Sequence, residues 1–209
     1  MNEADNIFVA GFGRCGTTAM MQLLWAGGAP VAGPAPAFED CRLGPGTTDV
    51  AWVRAQRGRV LKWIDPSRSR LPVDITSRTI WLDRAPKDQA RSQIKMLRML
   101  TPDMASIGGG PSVSAFARSL KRDRAPPIAA LRKRGPVLVV TFKELLAQPL
   151  ATALRVRRFL GPEFLPDPVR GAKAILNRGP ECQPDLWVEQ STSIAWKACE
   201  AVKEQEAEL

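Results

Sequence analysis

The chain has 209 residues, 44% hydrophobic and 24% charged, enough for the core of one domain over residues 1–209. That composition excludes a disordered chain and a coiled coil, and no apolar run approaches the roughly 20 residues of a membrane helix. Lys+Arg number 30 and Asp+Glu 21, a net +9, but residues 181–209 hold seven acids and two bases, a net −5, which leaves +14 on residues 1–180.

Residues 6–10, Asn-Ile-Phe-Val-Ala, read as a short buried strand. A Gly-rich turn follows, and residues 17–26 read as a helix ended by Gly27-Gly28. Residues 29–58 are rich in Gly and Pro and read as irregular. Strands are expected at 59–64, stopped by Asp65-Pro66, and at 79–83. A helix is predicted from about Lys87 to Leu100, with Ala90, Ile94, Leu97 and Leu100 on one face. Gly108-Gly109-Gly110-Pro111 marks a loop. Residues 113–134 read as basic and helical, broken at Pro126-Pro127. Val137–Thr141 is the most apolar strand; helices at 143–147 and 150–160 follow, and 181–209 reads as an acidic helical extension. Strands alternating with helices predict an α/β domain, a parallel sheet of about four to five strands flanked by helices.

Two absences restrict the chemistry. The chain has no His and no Tyr, so nucleophile systems built on imidazole are excluded. The cysteines (Cys15, Cys41, Cys182, Cys199) show no CxxC spacing and no His to complete a zinc site. They read as reduced thiols. Glu3 and Asp5 stand where a secretory signal would be basic, so a soluble, cytoplasmic protein is expected.

Gly11-Phe12-Gly13-Arg14-Cys15-Gly16-Thr17-Thr18 lies between a strand and a helix. Such a loop aims backbone N–H groups and a helix N-terminus at one point, which suits an anion. The G-x-x-x-x-G spacing matches a Walker A loop, but Thr17 stands where the phosphate-binding lysine would be. The positive charge sits inside the loop, at Arg14. The bland alternative is a turn that only caps the helix.

Ile7 to Thr18 resembles the 5′-phosphosulfate loop of sulfotransferases, which use 3′-phosphoadenosine-5′-phosphosulfate (PAPS). That family has a Lys or Arg, one residue, Gly, then Thr-Thr or similar, as in Arg14 to Thr18. Asp83-Arg84-Ala85-Pro86, with Ser92 eight residues beyond Arg84, resembles the family's 3′-phosphate site. A guanidinium grips phosphate through two parallel N–H groups, and the serine hydroxyl adds a donor. A weaker likeness runs from Val139 through Pro149 to Phe159-Leu160-Gly161. Together these cover about residues 6–161. The resemblance implies a P-loop NTPase-like sulfotransferase architecture, with Gly11, Gly13, Arg14, Cys15, Gly16, Thr17, Thr18, Arg84 and Ser92 on the nucleotide. It implies PAPS as co-substrate, 3′,5′-ADP as product and no metal. Arg178 is a weaker candidate for the 3′-phosphate, with a plain turn as its alternative.

Sulfuryl transfer depends on fixed cations and N–H groups around the migrating group. Arg14 and Lys62 are the candidate cations, Lys62 being read as the end of the second strand. The family's Lys-x-His-x-Pro stretch is here Lys62-Trp63-Ile64-Asp65-Pro66, so Ile64 stands in the histidine's place. Other branches of the family use a Glu soon after the phosphate loop, and a carboxylate can act as base when burial raises its pKa: the resemblance implies Glu39 first and Asp65 second, with Asp40 beside Glu39 and plain solvation as the alternative for each. The resemblance implies an acceptor that is a small molecule, a glycan or a lipid headgroup, without choosing among them. A small kinase is the competing enzyme reading, disfavoured by the missing lysine and by the lack of an obvious strand ending in Asp beside the loop. A basic nucleic-acid module over 113–134 is the competing non-enzyme reading, and only Phe116 offers a stacking ring there. A degenerate, inactive relative is the remaining alternative.

Overall fold

The computed structural model describes residues 6–44, 46–69, 71–100 and 112–175. The expected acidic helix at 181–209, the Gly108–Pro111 loop and Arg178 lie outside them. Four parallel strands form the sheet: β1 (Asn6–Gly11), β4 (Val60–Ile64), β5 (Ser77–Asp83) and β6 (Val137–Thr141), in the order β4-β1-β5-β6. By position along the chain this order is 2-1-3-4, so the connections leave β1 in opposite directions. That switch point, outside the carboxyl ends of the strands, is where open α/β sheets place their ligands. Val9 pairs with Lys62 on one side and with Ile80 on the other.

β1 is buried along its whole length because both sheet faces are covered. Ile7 and Val9 enter one core, with Met20, Leu23 and Leu24 of α1 (Thr17–Ala26), Ile80, Leu82 and Val140. Phe8 and Ala10 enter the other, with Leu61, Trp63, Trp81 and Leu131. This double burial explains the unbroken apolar runs. Within the stretch expected to be irregular, the chain forms a hairpin, β2 (Leu43–Gly44) and β3 (Thr47–Thr48), and a short helix, α2 (Val50–Ala55). The Asp49 side chain accepts from the Trp52 N–H at 2.9 Å and starts α2.

α3 (Pro86–Leu100) covers the predicted helix, but its apolar stripe is only partly used. Ala90 is buried with Ala117 and Leu120 of α4 (Val113–Asp123), whereas Leu97 is 42% exposed. The chain breaks at Arg124 rather than at the prolines, and Pro126 and Pro127 fall in the first turn of α5 (Ala125–Arg132). Proline fits there because a first-turn N–H has no intrahelical partner. After β6 come α6 (Phe142–Ala147) and α7 (Pro149–Leu160). Thr141 and Glu144 form a reciprocal cap on α6. α8 (Pro168–Lys173) packs on α1, where a Cβ on Gly171 would lie 2.6 Å from the Leu23 carbonyl oxygen. Cys15 is a buried free thiol, as expected, but Cys41 is disulfide-bonded, against the reading of four reduced thiols. The partner of Cys41 lies outside the described residues.

Candidate functional site

The loop from Gly11 to Thr18 leaves the central strand and turns directly into α1. Its glycines answer to internal packing. A Cβ on Gly11 would lie 2.5 Å from Cys15 Sγ and 2.7 Å from the Leu82 carbonyl oxygen. Gly16 has φ +107°, and a Cβ there would meet the Phe142 ring at 2.4 Å. Cys15 points inward, and burial pushes its thiol up to about 12. It is part of the loop's foundation and presents no thiolate. Thr17 is buried in the first turn of α1, and Thr18 is half-buried.

Lys62 lies in the middle of β4, not at its end, and its side chain is almost wholly buried. It projects from the α1 face of the sheet. Its Nζ donates to Thr18 Oγ1 at 2.6 Å, to the Ala37 carbonyl at 2.9 Å and to Glu39 Oε1 at 2.6 Å. A buried ammonium needs a full set of acceptors, and this one has three. Glu39 is the more open partner, 20% exposed against 1% for Lys62. The residues singled out as cation and base are thus in direct contact.

Asp65 has a different setting. It sits at φ 48° just past β4, and its Oδ1 accepts from the Gly13 N–H at 3.3 Å. Burial raises its carboxyl above the ordinary range, against the opposing pull of that N–H. It braces the loop. β5, beside β1, ends in Asp83, so the expectation that no such strand ends in Asp fails. Asp83 is paired with Arg124, however, and that ion pair engages the carboxylate a metal would need.

Arg14 adopts φ 65°, unusual for a residue with a Cβ. Its Nε donates to Ser92 Oγ at 3.2 Å. Arg84 NH1 donates to the Arg14 carbonyl at 3.2 Å, and its guanidinium lies 4.7 Å from the centre of the Phe142 ring. The Arg84–Ser92 pair therefore meets at Arg14. The two phosphate subsites expected as separate sequence elements form one continuous cluster. Arg14, Arg84, the threonines and the first turn of α1 make a donor set that fits an oxyanion, with the charge of Lys62 beside it.

No protein-family model matches the chain, and no curated protein matches it. Solved structures similar to it include the mouse sulfotransferase SULT7A1 complexed with PAP (TM-score 0.49, 14% identity, 84% of this chain and 64% of that one). Retinol dehydratase in complex with androsterone and inactive cofactor PAP is similar at TM-score 0.47 and 16% identity, over 84% of this chain and 65% of that one. A sulfotransferase from Alicyclobacillus acidocaldarius is similar at TM-score 0.43 and 20% identity, over 92% of both chains. The chain spans less than two thirds of the first two proteins.

Two residues absent from the sequence reading complete the site. Gln89 Nε2 donates to the carbonyls of Phe12 (3.3 Å) and Gly13 (2.8 Å), and Gln93 Nε2 donates to that of Gly13 at 2.7 Å. Their signal was the spacing Gln89-x-x-Ser92-Gln93, which puts all three on one face of α3.

Proposed function

We propose that this protein is a sulfotransferase that moves a sulfuryl group from PAPS to a hydroxyl or amine of an acceptor, releasing 3′,5′-ADP. The observation that supports it best is the contact of Lys62 with both Thr18 and Glu39. A cation from the neighbouring strand sits at the end of the phosphate loop, and it holds a carboxylate open to solvent. This arrangement supplies by another route the charge that Thr17 cannot.

In this reading the loop amides, Thr17, Thr18 and the α1 N-terminus hold the 5′-phosphate. Arg84 and Ser92 take the 3′-phosphate. Arg14 and Lys62 stabilise the negative charge that grows on the phosphate oxygen as its bond to sulfur breaks. Glu39 accepts the proton from the acceptor atom as that atom bonds to sulfur. Arg14 remains protonated throughout and acts by its charge. The product of the proton transfer, a neutral Glu39 carboxyl, releases Lys62 from its ion pair just as the leaving group gains charge.

The test compares 3′,5′-ADP with ATP and Mg²⁺ in thermal unfolding, alongside transfer of labelled sulfate from PAPS to a panel of alcohols, glycans and amines. Ligand at about 100 times Kd adds about 2.7 kcal/mol. Stabilisation by 3′,5′-ADP without metal is expected. Stabilisation by ATP–Mg²⁺ alone would transfer the protein to the kinases.

A further inference from the structure

The backbone on and around the Gly13–Arg14 peptide is held from one helix face and from two strand ends, Asp65 after β4 and Arg84 after β5. Gln89 and Gln93 both donate to the Gly13 carbonyl, and Gln89 also reaches the Phe12 carbonyl. From the opposite side Asp65 accepts the Gly13 N–H. Arg84 donates to the Arg14 carbonyl, and Ser92 accepts from Arg14 Nε. Gln89 is 4% exposed, so its amide is committed to the loop. The orientation of Gln93 follows from chemistry: turning its amide over would set two carbonyl oxygens against each other. Its own Oε1 is buried without a hydrogen-bond partner among the described residues, so contact with the loop outweighs satisfaction of the side chain.

In a trans peptide the C=O and N–H point in opposite directions. Pinning the Gly13 carbonyl to α3 therefore turns the Arg14 N–H away from α3. Pinning the Phe12 carbonyl turns the Gly13 N–H towards Asp65, as observed. The left-handed φ of Arg14 costs on the order of 1–3 kcal/mol and persists only where neighbours over-determine it. Successive N–H groups fixed in such turns form anion-binding hollows.

We propose that Gln89 and Gln93 are positioning residues that hold the Gly13–Arg14 peptide with its N–H aimed at the bound oxyanion. They touch neither substrate nor acceptor. They act by keeping the Gly13 carbonyl out of the anion's place, where its partial negative charge would repel the ligand. This rests on the reading that the loop binds phosphate.

The experiment measures binding of pyrophosphate and of 3′,5′-ADP by calorimetry, for wild type, Gln93→Met, Gln93→Glu and Gln89→Glu, at about pH 8 and about pH 5. Met keeps the length of the side chain and removes the donor. Glu keeps the shape, but donates to a carbonyl only when protonated. Gln93→Glu is expected to bind about tenfold more weakly than wild type at the higher pH and to regain part of that loss at the lower one, because the Gly13 carbonyl it faces favours the protonated carboxyl. Gln93→Met is expected to lose a similar factor at both. Should Gln89→Glu fail to fold, the Gln93 pair alone decides. A Gln93→Glu protein that binds as wild type at the higher pH, or whose loss is the same at both, overturns the proposal. If wild type binds ATP–Mg²⁺ or pyrophosphate but not 3′,5′-ADP, the sulfotransferase reading falls while the same variants, titrated with the ligand that does bind, still test the two glutamines.

Discussion

Replacing Lys62 by Met tests whether the buried ammonium is a structural as well as a chemical centre. Met fills the space of the stem but cannot donate. The change strips a buried charge-assisted hydrogen bond from the Ala37 carbonyl and leaves Glu39 without its cation. Removing one partner of a fully buried ion pair typically costs about 3–5 kcal/mol. Glu39 is 20% exposed and regains part of that through water, which brings its share towards the low end. The orphaned carbonyl adds about 1–3 kcal/mol, and the buried charge that no longer has to be desolvated offsets some of it. A net destabilisation of about 3 kcal/mol is expected. For a domain of this length that lowers Tm by about 6–12 °C. The assay is thermal and urea unfolding of Lys62→Met, Glu39→Gln and the double variant. Once Glu39→Gln has removed the carboxylate's charge, the side chain no longer needs the ammonium. The double variant should therefore recover about 1 kcal/mol or more over the sum of the single changes. A Lys62→Met protein that melts within about 2 °C of wild type, or single effects that simply add, would refute the reasoning.

Arg14→Ala should lower single-turnover sulfuryl transfer by about 10²–10³ while weakening 3′,5′-ADP binding far less, and Glu39→Gln should lower turnover and spare donor affinity. Arg84→Ala and Ser92→Ala should each weaken 3′,5′-ADP by about 1.5–3 kcal/mol and 5′-AMP by less, measured by calorimetry; equal losses would confine both residues to bracing the loop. Asp65 has a folded-state carboxyl raised by burial, so its ionised form opposes folding, and its contribution to stability falls as pH rises from 3.8 through the raised value. Asp65→Asn, which keeps an acceptor for the Gly13 N–H and tolerates φ 48°, should therefore gain on wild type in urea unfolding as pH rises through that window, then hold a constant lead. Cys15, with its thiol pushed up to about 12, should resist iodoacetamide in the native protein near neutral pH and react on unfolding, as read by mass spectrometry.

The strands and the long helices were legible because both sheet faces are covered: β1 and β6 show unbroken apolar runs, β4 is apolar but for Lys62, and helix α1 is bounded by glycines at both ends. The hairpin and α2 were not, because two-residue strands and a six-residue helix carry no period. The break before α5 was misplaced by two residues because proline stops a helix from within but starts one at its first turn. In the site, the loop and Lys62 could be named from spacing. Their contact could not, since Lys62 and Thr18 are 44 residues apart and meet only through the register of β4 beside β1. Gln89 and Gln93 escaped notice because a glutamine on a helix surface is ordinarily solvated. What distinguishes these two is the pair of carbonyls above them, and those belong to the fold of the loop.

The position of β1 between two partners has a consequence for how the protein comes apart. Its amides bond alternately to β4 and to β5, so exchange along the whole strand needs both ladders to open, and it belongs to the slowest-exchanging unit of the molecule. The Gly11–Thr18 loop is rooted in that unit. Residues 29–58, which carry Glu39, are anchored to it by Lys62, by the Val31–Val60 bridge, by the Asn6 amide on the Val53 carbonyl, and by Ala29, Ala32, Phe38, Leu43 and Val53 in the two cores. The only ladder internal to that segment among the described residues is the two-residue β2–β3 hairpin, so the segment is expected to release ahead of β1 under heat or denaturant. On the proposed function, a partly opened protein keeps the seat for the nucleotide after it has lost the carboxylate, so nucleotide binding is expected to outlast turnover.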